Sequence, residues 1–321
     1  MATLTANGLT LAEVAKRHDP QGNLATIAEV LEQENEILQD AVWRESNDVW
    51  ANVTTRRAAL PTGSWRKLNA GVAAEKSDTV QVVDTIGILE TWAKNDIEVI
   101  NSFRDKQQAR NDEAMAFVEG LGQTMASTLI YGSTVTTPEK FTGLAPRMDD
   151  IAATTNVINE GGGGSDLTSI FVITWGPNEV HCLYPRNSKG GLEHTDMGIQ
   201  IVQDDSSLDF RAYVDNFVWK CGLAVKHTKC IGRIANIEST GASNIFDEDN
   251  LITLLNRMKT GPGTRIYCNQ TVLTQMEIRA KDKTNINYVL SDGLAPGPVL
   301  LFKGHPIRQV DQILDTEKAL T

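Results

Sequence analysis

Apolar positions in the first third of the chain change period. Over residues 24–42, Leu24, Ile27, Val30, Leu31, Ile37, Leu38 and Val42 fall close to helical spacing. Glu29, Glu32, Glu34, Glu36 and Asp40 occupy the remaining surface, which predicts an acidic amphipathic helix. From Asp48 onward the runs become strand-like, with Val49, Trp50 and Val53 on one side and Val80, Val82 and Ile86 on the other. Between them the chain turns at Pro61, Thr62 and Gly63, passes Trp65, and carries Arg56, Arg57, Arg66, Lys67 and Lys76. This polar hairpin is too long for a tight turn and has no core of its own. A lone two-stranded arm is marginal in water, so the pattern predicts an arm ordered against another copy of the chain.

Further along, residues 85–92 read as a strand. Asn101 and Ser102 are candidate N-caps for a long helix with the stripe Ala114, Phe117, Val118, Leu121, Met125 and Leu129, stopped by Gly132. Gly120 and Gly122 each cost roughly 1 kcal/mol against alanine in a helix, which predicts close packing or a kink there. Gly161 to Gly164 form a flexible break, and the chain then turns β-rich. Ile170, Val172 and Thr174 alternate, Gly176 and Pro177 turn, and Val180, Cys182 and Tyr184 return, a hairpin pattern. Strands follow over 199–202, 210–214, 217–224 and 231–237. A helix over 247–258, a strand over 265–268, a helix over 269–280 and strands over 299–302 and 307–313 close the chain. Strands in one stretch and helices in others give an α+β class.

Composition narrows the function. The chain has 321 residues, a net charge of −11 and a pI near 5.0, which argues against a protein whose main work is gripping phosphate backbones. No run of about 18 apolar residues occurs, so no membrane span is expected. The first ten residues lack a basic start and an apolar stretch, which predicts a chain made and kept in the cytosol. Four cysteines fit a reducing compartment and predict free, mostly buried thiols.

Candidate chemistry is thin. Cys221, His227 and Cys230 are close in sequence and His181 adjoins Cys182, but the two paired clusters of structural zinc are missing, so no metal is expected. The glycine run lacks the lysine and the strand-to-helix context of a phosphate loop, so no cofactor is expected. No nucleophile elbow or metalloprotease His-Glu pair occurs, so no catalytic residue is assigned. Asp149 with Asp150 and Asp204 with Asp205 read as solvated turns. The alternative function is a β-rich binding module or hydrolase with a site around His181, His194 and Glu193, which would require one concave pocket. The assigned residues are instead intersubunit contacts: Trp50, Arg56, Arg57, Trp65, Arg66 and Lys67 on the hairpin, meeting Glu29, Glu32 and Glu36 of a neighbour. An exposed ion pair is worth roughly 0–1 kcal/mol and a buried tryptophan anchor about 2 or more, so Trp50 and Trp65 lead that set.

The order of these parts resembles the major capsid proteins of tailed bacteriophages, the Hong Kong-type coat fold. Two local stretches carry it further: Phe141, Thr142, Gly143, Leu144, Ala145, Pro146 and Arg147 after the long helix, and the closing run Leu300, Leu301, Phe302, Lys303, Gly304, His305, Pro306 and Ile307. Residues 165–237, with Trp175, Gly176, Tyr184, Pro185, Trp219, Gly222 and Leu223, are most similar to coat proteins of the epsilon-fifteen-like short-tailed phages. The resemblance implies an N-terminal arm over 1–45 and an extended β-hairpin loop over 46–85. It implies a peripheral domain over 86–246 with its spine helix, and an axial domain with the C-terminal return over 247–321. It implies a structural, non-enzymatic major capsid protein that self-assembles through a procapsid into hexamers and pentamers of an icosahedral head enclosing double-stranded DNA. The expected partners are other copies of the chain, a scaffolding protein, a portal protein and a cement or decoration protein, with the DNA held without tight specific binding. A separate scaffolding protein is expected because the arm begins almost at once. The expected location is the virion capsid, after synthesis in the host bacterial cytoplasm.

Overall fold

A computed structural model describes residues 35–152, 156–203, 207–241, 243–281, 287–291 and 299–320. Most of the predicted helix over 24–42 lies outside these residues. Its described end is one short turn, α1 (Ile37–Asp40), and Ala41 leaves helical geometry at ψ 128°. The chain is pulled straight there because Trp43, Arg44 and Glu45 form strand β1 (Trp43–Glu45), which pairs in parallel with β6 (Val180–Tyr184).

The hairpin arm is present. Strand β2 (Ala51–Ala59) runs antiparallel to the first half of β3 (Asp78–Asp96), from Ala51 opposite Thr85 to Ala59 opposite Asp78. The long helix predicted from the caps Asn101 and Ser102 starts later, because both residues close an earlier short helix. A short α2 (Ile97–Ser102) ends at Phe103, which is buried with Ile100 and Ala109, and the spine helix α3 (Lys106–Tyr131) restarts after it. Its N-cap is Asp105, whose Oδ1 accepts from the backbone N–H of Gln107 at 3.1 Å and Gln108 at 3.0 Å. At 26 residues the helix is about 39 Å long. It does stop at Gly132, though for a different reason than a left-handed cap: φ is −54°. A Cβ there would meet the carbonyl oxygens of Thr128 at 2.5 Å and Phe141 at 2.6 Å, so only glycine lets the returning chain lie so close. Within the subunit neither Gly120 nor Gly122 is demanded by packing. Among the described residues nothing lies within 4 Å of an added Cβ at Gly120, and Leu38 Cδ1 alone, at 4.0 Å, lies near one at Gly122.

The strands form two sheets. In the six-stranded sheet the order is β1-β6-β8-β3-β2, with β7 (Leu192–Gln203) also paired to β8 (Asp209–Val225). In the seven-stranded sheet the order is β11-β12-β13-β10-β5-β9-β4. Its members are β4 (Val157–Asn159), β5 (Leu167–Thr174), β9 (Ile231–Glu238), β10 (Thr264–Cys268), β11 (Tyr288–Ser291), β12 (Val299–Phe302) and β13 (His305–Gln309). The expected hairpin around Gly176 and Pro177 is therefore a crossover. β5 and β6 belong to different sheets, joined only by the bridge between Trp175 and Val180. The two short strands predicted over 210–214 and 217–224 are one strand, β8, which runs through Asp215 and Asn216.

Two apolar clusters hold these layers. One lies between the sheets and the spine helix, joining Met125, Leu129 and Ile130 to Phe171, Ile173, Trp175, Cys182, Leu223 and Tyr267. The other packs α4 (Glu248–Arg257) and α5 (Gln270–Ala280) onto the seven-stranded sheet through Leu251, Leu254, Val272 and Met276 against Ile170, Val172, Ile234 and Ile266. Strand β5 serves both clusters, so all eight of its residues are buried. Because β10 pairs directly with β5, the seven-stranded sheet takes strands from both sides of residue 246, and α4, α5 and β10 share a core with β5 and β9.

The C-terminal return is tied into this core by charge. Glu317 and Arg233, each about 5% exposed at the side chain, form a 2.8 Å ion pair. Ser169 and Tyr131 both donate to the same carboxylate, and Arg233 also donates to the Met148 carbonyl at 3.1 Å. Burial, and then the neighbouring Glu317 charge, push the Tyr131 phenol above its ordinary range, so it stays protonated and donates.

Candidate assembly surface

The hairpin leaves the body at an ionic anchor. Asp84, 3% exposed, accepts from Arg147 at 2.8 Å, and Arg147 also reaches the carbonyls of Thr142 at 3.1 Å and Leu223 at 3.0 Å. The turn that follows the spine helix is thereby pinned to the base of β3 and to β8. Beyond this base Arg56 adds one tie to the body, and among the described residues the tip makes none. Residues 60–77 carry no strand or helix, and all are exposed. Trp65 is fully exposed and Leu68 is 93% exposed. Two internal ties shape the tip: Glu75 Oε2 accepts from the backbone N–H of Thr62 at 2.7 Å and Gly63 at 3.0 Å, and the Lys67 carbonyl accepts from the backbone N–H of Ala70 at 3.2 Å.

The residues expected to contact neighbours divide into three groups. Trp50, at 48% exposure, and Trp65, Arg57, Arg66 and Lys67 all face solvent. Arg56 does not join them: its guanidinium turns inward and donates to the Val225 carbonyl of its own subunit, with Asp84 and Arg147 nearby. Glu36 is likewise occupied at home, accepting from Arg308 at 2.8 Å and from the backbone N–H of Gln309 at 2.9 Å. Asp40 beside it meets Arg265 at 3.4 Å and accepts from the Tyr267 hydroxyl at 3.1 Å. The described end of the acidic segment is thus neutralised by β10 and β13. Glu29 and Glu32 lie outside the described residues.

The alternative centre around His181, His194 and Glu193 does not come together. On β8, His181 is opposite Ala224 and His194 is opposite Phe217, seven positions apart, a separation of about 23 Å along the strand. His181 lines a polar cavity of about 370 Å³ with Arg44, Asn52, Thr55 and Lys226, into which neither His194 nor Glu193 reaches. Burial, then the Lys226 and Arg44 charges, lower the His181 pKa to about 4, so it is neutral near pH 7. His194 stacks on Phe217 at 4.6 Å and pairs through Nε2 with Asp215 at 3.0 Å. Asp215 is shared with Arg110 of the spine helix at 3.1 Å. This cluster joins helix to sheet. All four cysteines are free and buried, as expected, and among the described residues no group of three or more His, Cys, Asp or Glu is placed to hold a metal.

Sequence reasoning missed the Asp84 anchor and the length of β7. Arg147 at the end of the Phe141 turn was the available clue to the first, since a lone arginine there needs an acidic partner.

A long spine helix, a long hairpin and a sheet threaded by the C-terminal return define a Hong Kong-type coat subunit of the α+β class, a structural protein of virus heads. The chain belongs to the major capsid protein GP7 family, whose model matches residues 19–321. Its fold is similar to that of bacteriophage Epsilon15, with a TM-score of 0.74 and 29% identity over 100% of both chains. A second likeness is the SrpI encapsulin of Synechococcus elongatus, with a TM-score of 0.48, 13% identity and cover of 73% of this chain and 98% of that one. No curated protein matches the chain. The protein is a bacteriophage major capsid protein that associates with copies of itself in the virion capsid.

Proposed function

We propose that the chain builds hexamers and pentamers of an icosahedral head around double-stranded DNA, with the hairpin arm lying across a neighbouring subunit. The observation that carries this reading is the tip over residues 60–77, which presents Trp65 and Leu68 to solvent with no core of its own. Apolar side chains on an unsupported arm gain packing only from another molecule. Trp50 and Trp65 are the anchors, with Arg57, Arg66 and Lys67 as a charged rim that steers encounter. Their acidic complement is Glu29 and Glu32 of the neighbour, since Glu36 is already bound within its own subunit.

The protein works without catalytic turnover. It is made in the host bacterial cytoplasm and assembles with a scaffolding protein, a portal protein and a cement or decoration protein. Its net charge of −11 suits a container that holds DNA without clinging to it. The test is a chain in which residues 60–77 are replaced by a short glycine-containing turn. It is expected to fold as a monomer with wild-type circular dichroism and to form no particles by electron microscopy. Particles of normal size from that variant would refute the role of the arm.

A further inference from the structure

Strand β7 is a long strand of the six-stranded sheet whose outer edge is open to another strand among the described residues. It runs for 12 residues and pairs, among the described residues, with β8 alone. Its opposite side therefore presents a row of backbone donors and acceptors. Proteins normally blunt such an edge with charge, proline or a bulge. Here the protection stops halfway. Glu193, His194 and Asp196 guard the first half, and a register shift between Asp196 and Ile199, with Gly198 at φ 70°, bends the strand. After the shift the register is regular from Ile199 opposite Tyr213 to Gln203 opposite Asp209. Residues 197–203, Met-Gly-Ile-Gln-Ile-Val-Gln, contain no charge and no proline. Met197, Ile199 and Ile201 are 42%, 47% and 73% exposed. A neutral, β-prone segment of this length on an open edge is a pairing segment.

We infer that the outer edge of β7 over residues 199–203 pairs with a strand from a second copy of this chain, the partner being the same segment run antiparallel about a two-fold axis. Two features favour the same segment over a different partner. An antiparallel pair centred on Ile201 about a two-fold axis sets Ile201 against its own copy, Gln200 against Val202 and Ile199 against Gln203, so every facing pair is neutral and the axis falls on an apolar pair. The charges that would select a foreign, oppositely charged strand are also missing. The pairing would extend the six-stranded sheet continuously from one subunit into the next and cover Ile199 and Ile201.

The inference rests on the shell-forming reading, and one experiment separates the two. Ile201→Cys places a thiol at the middle of the run, where the two-fold sets it against its own copy, in a chain whose four native cysteines are buried. Gln200→Cys and Val202→Cys cover a register whose centre is displaced by one residue. Each variant is assembled in full length, oxidised, and digested for mass spectrometry. The expected result is a disulfide joining two copies of the same peptide in particles, strongest at one of the three positions and lost in dissociated subunits. A second variant, Ile199→Lys with Ile201→Lys, is expected to raise the protein concentration needed for assembly about tenfold or more, by like-charge repulsion across the axis, while the isolated subunit keeps its unfolding midpoint. Normal particles with no self-linked peptide at any position, a link from this segment to a different part of the chain, or a lysine variant that assembles like wild type would each overturn the pairing and leave the shell reading standing. A wild-type chain that forms no particles would remove both.

Discussion

Strand β5 and the hairpin arm lie in the same chain and obey opposite rules. Every residue of β5 is buried, its two faces feed the two apolar clusters, and Arg233 and Glu317 meet beside Ser169 at its centre. The arm buries one residue of β2, Asn52, and leaves its tip wholly in water. The first region therefore has its partners within the subunit, whereas the arm is tied to the body only near its base, through Asp84 and Arg56, and its tip has no tie there among the described residues. If the arm is where the subunit meets its neighbours, as proposed, stability and assembly lie in separate parts, and mutations should separate them too.

The largest expected effect lies in the core. Glu317→Ala leaves the Arg233 guanidinium buried without its carboxylate and removes the acceptor for Tyr131 and Ser169. Loss of one partner of a buried pair costs about 3–5 kcal/mol, so the urea midpoint of the isolated subunit should fall sharply. Assembly should suffer only as far as the subunit unfolds. A midpoint within error of wild type would mean that the C-terminal return does not close the core.

Trp65→Ala should do the reverse. The side chain touches nothing in its own subunit, so the unfolding free energy should move by less than about 0.5 kcal/mol. If the ring is an anchor against a neighbour, its loss weakens each contact by about 2 kcal/mol, roughly thirtyfold in affinity, read as a higher protein concentration needed to form particles. Assembly at the wild-type concentration would show that the tip is spacer and not anchor.

The same contrast explains what could be read from the chain in advance. The arm was legible because it breaks a rule: Trp65 and Leu68 sit in a polar turn with no apolar period to absorb them. The C-terminal elements were legible because local chemistry sets them. Asp247 and Asn269 cap α4 and α5, accepting from Asp249 at 3.2 Å and Val272 at 2.9 Å, and Gly261 to Gly263 separate α4 from β10. What stayed hidden depends on partners far along the chain. Gly176 and Pro177 announce a turn, yet nothing local says that β5 and β6 part into different sheets. Asp215 and Asn216 look like a break between strands. They lie inside β8 because Arg110, His194 and Glu90 satisfy them. Arg56 and Glu36 looked free for a neighbour because their own partners, the Val225 carbonyl and Arg308, are 169 and 272 positions away.

The smallest expected effect is in pH, and it has opposite sign in the two sheets. Glu160, just after β4 in the seven-stranded sheet, accepts from Asn250 at 3.0 Å, but burial, reinforced by the Asp247 charge, raises its pKa to about 7 from an ordinary 4.5. The folded state therefore binds a proton that the unfolded state has lost between those values. Stability from this group is full below about pH 4.5 and is lost as the pH rises to about 7. His181 in the six-stranded sheet is the converse. Its pKa falls from 6.5 to about 4, so the unfolded chain takes up the proton first, and stability is lost as the pH drops through that window. The two slopes oppose each other in the whole protein, and single substitutions uncouple them. Glu160→Gln should gain on wild type as the pH is raised from 5 to 7, because the wild-type carboxyl ionises in place. His181→Asn should gain on wild type as the pH is lowered over the same range. Urea midpoints measured at each pH give both differences. Parallel curves for Glu160→Gln and wild type would show that the carboxyl beside α4 ionises as freely as one in water, and the seven-stranded sheet would then lack the dry interior that sets it apart from the arm.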